Sequence, residues 1–210
     1  MSGGKSLMAA DYKRIVADLL AFYDLKDKTV LSVGAGGGQL IEYGRAAGKV
    51  LALDSDTQAL EKLRENLKTA GLEDKFVPIL GDFFEIDLSA DVVLFEFSLH
   101  EMSDPGAAVE RALGLALAVV VFDHWPGSPW SFIAAEEEKV AASWAALGRF
   151  PVKKTRRFET VQVFDGYEQL YLKVKGQGET ALARIAAYKG QADIRVPMTY
   201  GLALIEGGEA

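Results

Sequence analysis

Thr29-Val30-Leu31-Ser32-Val33-Gly34-Ala35-Gly36-Gly37-Gly38 is a short apolar run that breaks into four glycines within five residues. The run has the length and β-branched content of a buried strand. The segment beyond the glycines carries Leu40, Ile41 and Tyr43, the start of a helical face that Gly48 is placed to stop. A glycine turn between a strand and a helix lies at the carboxyl edge of a parallel sheet, where such sheets bind ligands. Its spacing discriminates among ligands. A dinucleotide fingerprint needs G-x-G-x-x-G, but counted from Gly34 the sixth position is Gln39, and counted from Gly36 it is Ile41. The pattern present is G-x-G-x-G, at Gly34, Gly36 and Gly38. Gly3-Gly4-Lys5-Ser6 has the look of a phosphate loop but lacks the upstream strand and the first glycine, so it reads as a tail.

The alternation continues downstream. Val50–Asp54 is a second strand, and the helix after it carries Leu60, Leu63 and Leu67, with Gly71 where a left-handed cap is wanted. Phe76–Leu80 and Asp91–Phe97 are the third and fourth strands. Asp104-Pro105 reads as N-cap and first helical residue. Leu117–Asp123, almost wholly apolar, is a central fifth strand. Ser128-Pro129 opens a helix expected to run to about Leu147. A strand near Thr155–Val163, one or two short helices and a strand over Ile194–Ile205 complete the chain, and Pro197 marks an edge or a bulge. Upstream, a helix is expected over Met8–Tyr23, with Ile15, Val16, Leu19, Leu20 and Tyr23 on its apolar face. Strands alternating with helices specify an α/β fold. The 210 residues suit one domain, residues 1–25 being an N-terminal helical segment or lid and 26–210 a Rossmann-like core.

Composition bounds the function. There is no cysteine, which excludes disulfides, thiolate metal sites and cysteine nucleophiles. No apolar run is long enough to span a membrane, and the N-terminus lacks a signal-peptide layout, so a cytoplasmic location is expected. A formal charge of −7 argues against nucleic acid as a partner. The basic cluster Lys153, Lys154, Arg156 and Arg157 reads as a charged edge strand, or as a rim that attracts an acidic small substrate.

In this frame the chain resembles the class I S-adenosylmethionine-dependent methyltransferases, well over Thr29–Asp123 and in outline elsewhere. Val30–Gly38 is similar to the family's first motif, and Leu51–Asp54 to its second, whose acid holds the ribose. Gly81-Asp82-Phe83 resembles the third, where the acid meets the adenine amino group and an apolar neighbour covers the ring. Asp91–Phe95 through Ser98-Leu99-His100 resembles the fourth strand and its exit loop, with Asp104-Pro105 following as usual. The resemblance implies S-adenosyl-L-methionine as cofactor and a seven-stranded sheet in the order 3-2-1-4-5-7-6 with the seventh strand antiparallel. It implies cofactor contacts from Ser32, Gly34, Ala35, Gly36, Gly38, Asp54, Ser55, Asp82, Phe83 and Phe97. Serine at position 32 departs from the family, which usually has an acid there near the methionine amino group. Backbone carbonyls near Gly34, or the loop from Phe97, are then expected to take over.

The only histidines, His100 and His124, each follow a strand and are candidates for the general base, since imidazole titrates near neutral pH. Both can equally be hydrogen-bonded loop residues, and no ligand spacing supports a metal site among His100, Glu101, Asp123 and His124. Tyr12, Glu101, Trp125 and Trp130 are candidates for the acceptor pocket, with core packing or loop ordering as the alternative. The expected partner is a small-molecule methyl acceptor, with monomer and homodimer both open. A non-catalytic cofactor-binding module and a dinucleotide-dependent oxidoreductase are the rival readings.

Overall fold

The computed structural model describes residues 10–207; Met8 and the Gly3–Ser6 segment lie outside them. Seven strands form one sheet: β1 (Thr29–Val33), β2 (Lys49–Asp54), β3 (Phe76–Leu80), β4 (Val92–Glu96), β5 (Ala118–His124), β6 (Val152–Gly166) and β7 (Ala192–Glu206). Their order is β3-β2-β1-β4-β5-β7-β6, as the family resemblance implied. β1 through β5 pair in parallel, and β7 runs antiparallel between β5 and β6.

The pleat sorts the core into two layers. Val30, Val50, Val92, Leu94 and Val120 face one side, covered by α1 (Tyr12–Phe22), α2 (Thr57–Ala70), α4 (Pro129–Ile133), α6 (Tyr167–Val174) and α7 (Glu179–Ile185). Leu31, Val33, Val93, Phe95 and Val121 face the other, covered by α3 (Pro105–Leu115) and α5 (Glu137–Leu147). Several start and stop signals act as read. The Asp104 carboxylate caps α3 with Pro105 in its first turn. Gly71 ends α2 in the left-handed conformation, φ 64°. α1 is shorter than its apolar stripe suggested, because the Asp11 carboxylate accepts from the Arg14 amide and starts the helix there.

Two expectations are corrected. The segment after the glycine turn is not an α-helix but one 3₁₀ turn, Ile41–Arg45. About ten residues must return from the carboxyl to the amino edge of the sheet here, and the 3₁₀ geometry advances further per residue than the α-helix. The helix expected from Ser128 to Leu147 breaks in two at Ala135, which takes φ 59°. The break lets α4 pack on β7 while α5 packs on α3, and it turns the Glu136 carboxylate inward.

β6 is an edge strand, so the basic cluster lies along an edge. Lys154 is used locally, donating to the Phe22 carbonyl at 2.9 Å, and Arg157 pairs with Glu159. Pro197 falls where β7 has outrun β5 and pairs only with β6. Among the described residues no helix is long and apolar enough to cross a membrane.

Candidate active site

The glycine turn folds back over the carboxyl ends of β1 and β2, where the Gly34 and Ala35 amides both donate to the Leu53 carbonyl. Gly34 has φ 74°, and a Cβ there would stand 2.3 Å from Ser98 Cβ. Only glycine combines that backbone with that approach. Ser98 is held in turn by donating to the Val33 carbonyl at 2.6 Å. The Asp54 carboxylate accepts from the Gly36 amide at 2.7 Å and from the Asp56 amide at 2.9 Å, so it also pins the turn.

Two cavities open on this edge and share Gly34 and Phe97. The outer one, about 370 Å³, is lined by Gly34, Asp54, Ser55, Asp82, Phe83 and Glu101 among others. Asp82 accepts from the Phe84 amide, and Arg111 donates to the Phe83 carbonyl at 2.8 Å, which braces this loop against α3. The inner cavity, about 240 Å³, is lined by Tyr12, Ala35, Glu96, Phe97, His124 and Trp130, together with Gln162, Lys173 and Met198. Phe97 lines both. It takes φ 52°, a strained backbone for an aromatic residue of the kind that clusters at ligand sites. Its ring lies 4.7 Å from Phe122 and 4.8 Å from His124.

The two histidines occupy different surroundings. Asp123, fully buried, accepts from the His100 ring Nδ1 at 2.6 Å, from the His100 amide and from the His124 amide, tying together the loops that leave β4 and β5. Burial acts to lower the His100 pKa, but hydrogen bonds with Asp123 and Glu101 outweigh it and raise the imidazole to about 10. His100 lines neither cavity. His124 lines the inner one; burial lowers its pKa to about 4, so it is neutral, and its Nδ1 has no partner among the described residues. Its carbonyl accepts from Trp144 Nε1 at 2.5 Å.

Glu101 sits at the outer cavity, paired with Lys139 at 2.6 Å; its hydrogen bond with His100 helps hold its carboxyl down to about 2. Glu136 lies 3.7 Å from His100 Nε2, and burial raises its carboxyl to about 7. His100, Glu101 and Glu136 lie close enough together to hold a cation, but in this structure Glu101 pairs with Lys139 and His100 with Asp123. Trp125 does not join the others: it packs on Trp144, with ring centroids 4.4 Å apart. Tyr12 and Trp130 do reach the inner cavity.

Sequence reasoning missed the most unusual group. Ser32 is fully buried, and its hydroxyl donates to Glu96 Oε2 at 2.7 Å; the Tyr43 hydroxyl donates to the same oxygen at 3.2 Å. Glu96 ends β4 and is buried, and desolvation raises its carboxyl from 4.5 to about 7. A carboxylate stands beside Ser32 after all, supplied by the neighbouring strand. Its signal was legible as the one acid at the end of Val92-Val93-Leu94-Phe95-Glu96.

Residues 31–116 match a family model described as a methyltransferase domain. Over 73 residues, 34% of this chain and 25% of the other protein, the sequence is 36% identical to ribosomal protein L11 methyltransferase of Photobacterium profundum. The chain spans a quarter or less of the length of the curated relatives it matches. Among solved structures, YcgJ of Bacillus subtilis superposes with a TM-score of 0.64 at 12% identity, covering 94% of this chain and all of the other. A SAM-dependent methyltransferase of Aquifex aeolicus superposes with a TM-score of 0.57 at 20% identity, covering 97% of this chain and 94% of that one. Motif order, sheet order and the family match agree: residues 31–116 match the methyltransferase-domain model, and they lie within a seven-stranded sheet that shares its fold with the solved structures on which it superposes.

Proposed function

We propose that this protein is an S-adenosylmethionine-dependent methyltransferase whose acceptor is a small molecule. The observation that carries the reading is the pair of cavities meeting at Gly34 and Phe97. The outer cavity suits a nucleoside: Asp54 and Asp82 offer carboxylates to ribose and base, Phe83 an apolar wall, and Ser55 a hydroxyl. Gly34, Ala35, Gly36 and Gly38 let the backbone pass close to it. The inner cavity, of about 240 Å³ and walled by Tyr12, Trp130 and Met198, suits a small acceptor beside the amino-acid end of the cofactor. A charge of −7 disfavours nucleic acid. We read the whole chain as one cytoplasmic domain.

When bound, S-adenosylmethionine supplies an electrophilic methyl group on a sulfonium. The protein's work is then alignment and exclusion of water. Phe97 lines both cavities where they meet. His124, neutral at rest, accepts a hydrogen bond from the acceptor's O–H or N–H, orients its lone pair, and takes the proton as methylation makes that group strongly acidic. His100 acts one step back, holding the His124 loop through Asp123 as a positioning residue. Trp125 supports the same wall from behind, and Glu101 orders the rim of the outer cavity.

The test is release of S-adenosylhomocysteine on incubation with S-adenosylmethionine and a panel of small hydroxy, amino and carbon acids. Acceptor-dependent release is expected, and His124→Ala should lower turnover well before it lowers S-adenosylhomocysteine affinity. Binding without release for any acceptor would leave a cofactor-binding module in place of an enzyme.

A further inference from the structure

Glu96 is a buried carboxylate with a half-filled set of partners. Oε2 accepts from the Ser32 and Tyr43 hydroxyls. Oε1 has no hydrogen-bond partner among the described residues, and no Lys, Arg or His there lies within ion-pair distance of either oxygen. Burying an ionised carboxylate without a cation is costly. Two hydroxyls spent on one oxygen fix the carboxylate's orientation and leave the other oxygen for something else. The residue lines the inner cavity beside Gly34 and Ala35.

A ligand seated by its nucleoside end against Asp54, Asp82 and Phe83 has to cross Gly34 and Phe97 to enter the inner cavity, because those residues line both. The first acid it meets there is Glu96, the only carboxylate of that wall among the described residues. On the reading that the cofactor is S-adenosylmethionine, the tail making this crossing bears one α-ammonium group, three donors with a positive charge. We propose that Glu96 recognises the α-ammonium group of the cofactor, and that Ser32 and Tyr43 are positioning residues that hold its carboxylate on the cavity wall. Affinity for the amino-acid end of the cofactor is then set from β4, through an acid that the motif on β1 does not contain.

Calorimetric titration of the full chain tests this with three probes: S-adenosylhomocysteine, its analogue lacking the α-amino group, and 5′-methylthioadenosine, which lacks the amino-acid tail. Wild type is expected to prefer S-adenosylhomocysteine to the desamino analogue by roughly ten- to hundredfold, the value of a hydrogen bond to a charged group. Glu96→Gln should collapse that preference to a few-fold while leaving 5′-methylthioadenosine binding unchanged, which also reports that the variant is folded. Tyr43→Phe and Ser32→Ala should each reduce the preference in part. An unchanged preference in Glu96→Gln overturns the assignment while leaving the cofactor reading intact. Failure of wild type to bind any of the three overturns the cofactor reading itself, and this assignment with it.

Discussion

Replacing Glu96 with glutamine should stabilise the fold above neutral pH and have little effect in acid. Glutamine keeps the shape and still offers an oxygen to the Ser32 and Tyr43 hydroxyls. The only thing removed is the ability to ionise. Desolvation, partly offset by those two hydrogen bonds and reinforced by the nearby Asp54 carboxylate, raises the Glu96 carboxyl from 4.5 to about 7. The native state therefore holds this proton more tightly than the unfolded chain does. Its contribution is fully present below pH 4.5 and is lost as pH rises through about 7. Each tenfold in proton affinity is worth about 1.4 kcal/mol, so the contribution is on the order of 3 kcal/mol. His124 and Lys173 line the same cavity and Asp54 faces the neighbouring one, and all three are present in both proteins. Urea unfolding of both proteins at about pH 4.5 and about pH 8.5 gives the two gaps. The stabilities should nearly coincide in acid, with the variant ahead by roughly 2–3 kcal/mol in base. A gap independent of pH, or a variant less stable in base, would refute the claim that Glu96 is an ionisable group held at an energetic cost. Stability would then be gained by the same change that is expected to weaken cofactor binding, a trade common at ligand sites.

Asp54→Ala should weaken S-adenosylhomocysteine binding by about 1–3 kcal/mol in calorimetry, while Asp54→Asn keeps an acceptor for the Gly36 and Asp56 amides and loses less. Unchanged affinity in a folded alanine variant would remove Asp54 from the ribose. His100→Ala should cost about 3–5 kcal/mol in denaturant unfolding, because fully buried Asp123 loses its ring partner; a loss under about 1 kcal/mol would show that the two backbone amides suffice. Gly34→Ala should abolish cofactor binding and lower Tm, since its Cβ would sit 2.3 Å from Ser98 Cβ; pairing it with Ser98→Gly should relieve the clash but not the strain at φ 74°.

Much of this molecule is written locally. Short-range chemistry decides Gly34 and Gly38, which need left-handed backbone (φ 74° and 78°), the Asp104 cap, the Gly71 stop and the apolar strands. These signals, set in order along one chain, identified the α/β class and the sheet edge on which the two cavities open. The sequence also placed Asp54, Ser55, Asp82, Phe83 and Phe97 at that edge, because residues just beyond parallel strands must emerge there. Propensity misled where the tertiary path overrode it. The alanine-rich run through Ala134 and Ala135 favours a continuous helix, yet it breaks so that α4 and α5 can cover different elements. What lay beyond local reading was pairing across strands. Ser32 and Glu96 are 64 positions apart, and only the β1–β4 register brings the hydroxyl to the carboxylate. The two histidines look alike in sequence, each shortly past an expected apolar strand. Their separation into an ion-paired brace and a neutral cavity residue came from packing, which brings the His100 ring to Asp123 and leaves the His124 Nδ1 buried without a partner among the described residues, and which no spacing encodes.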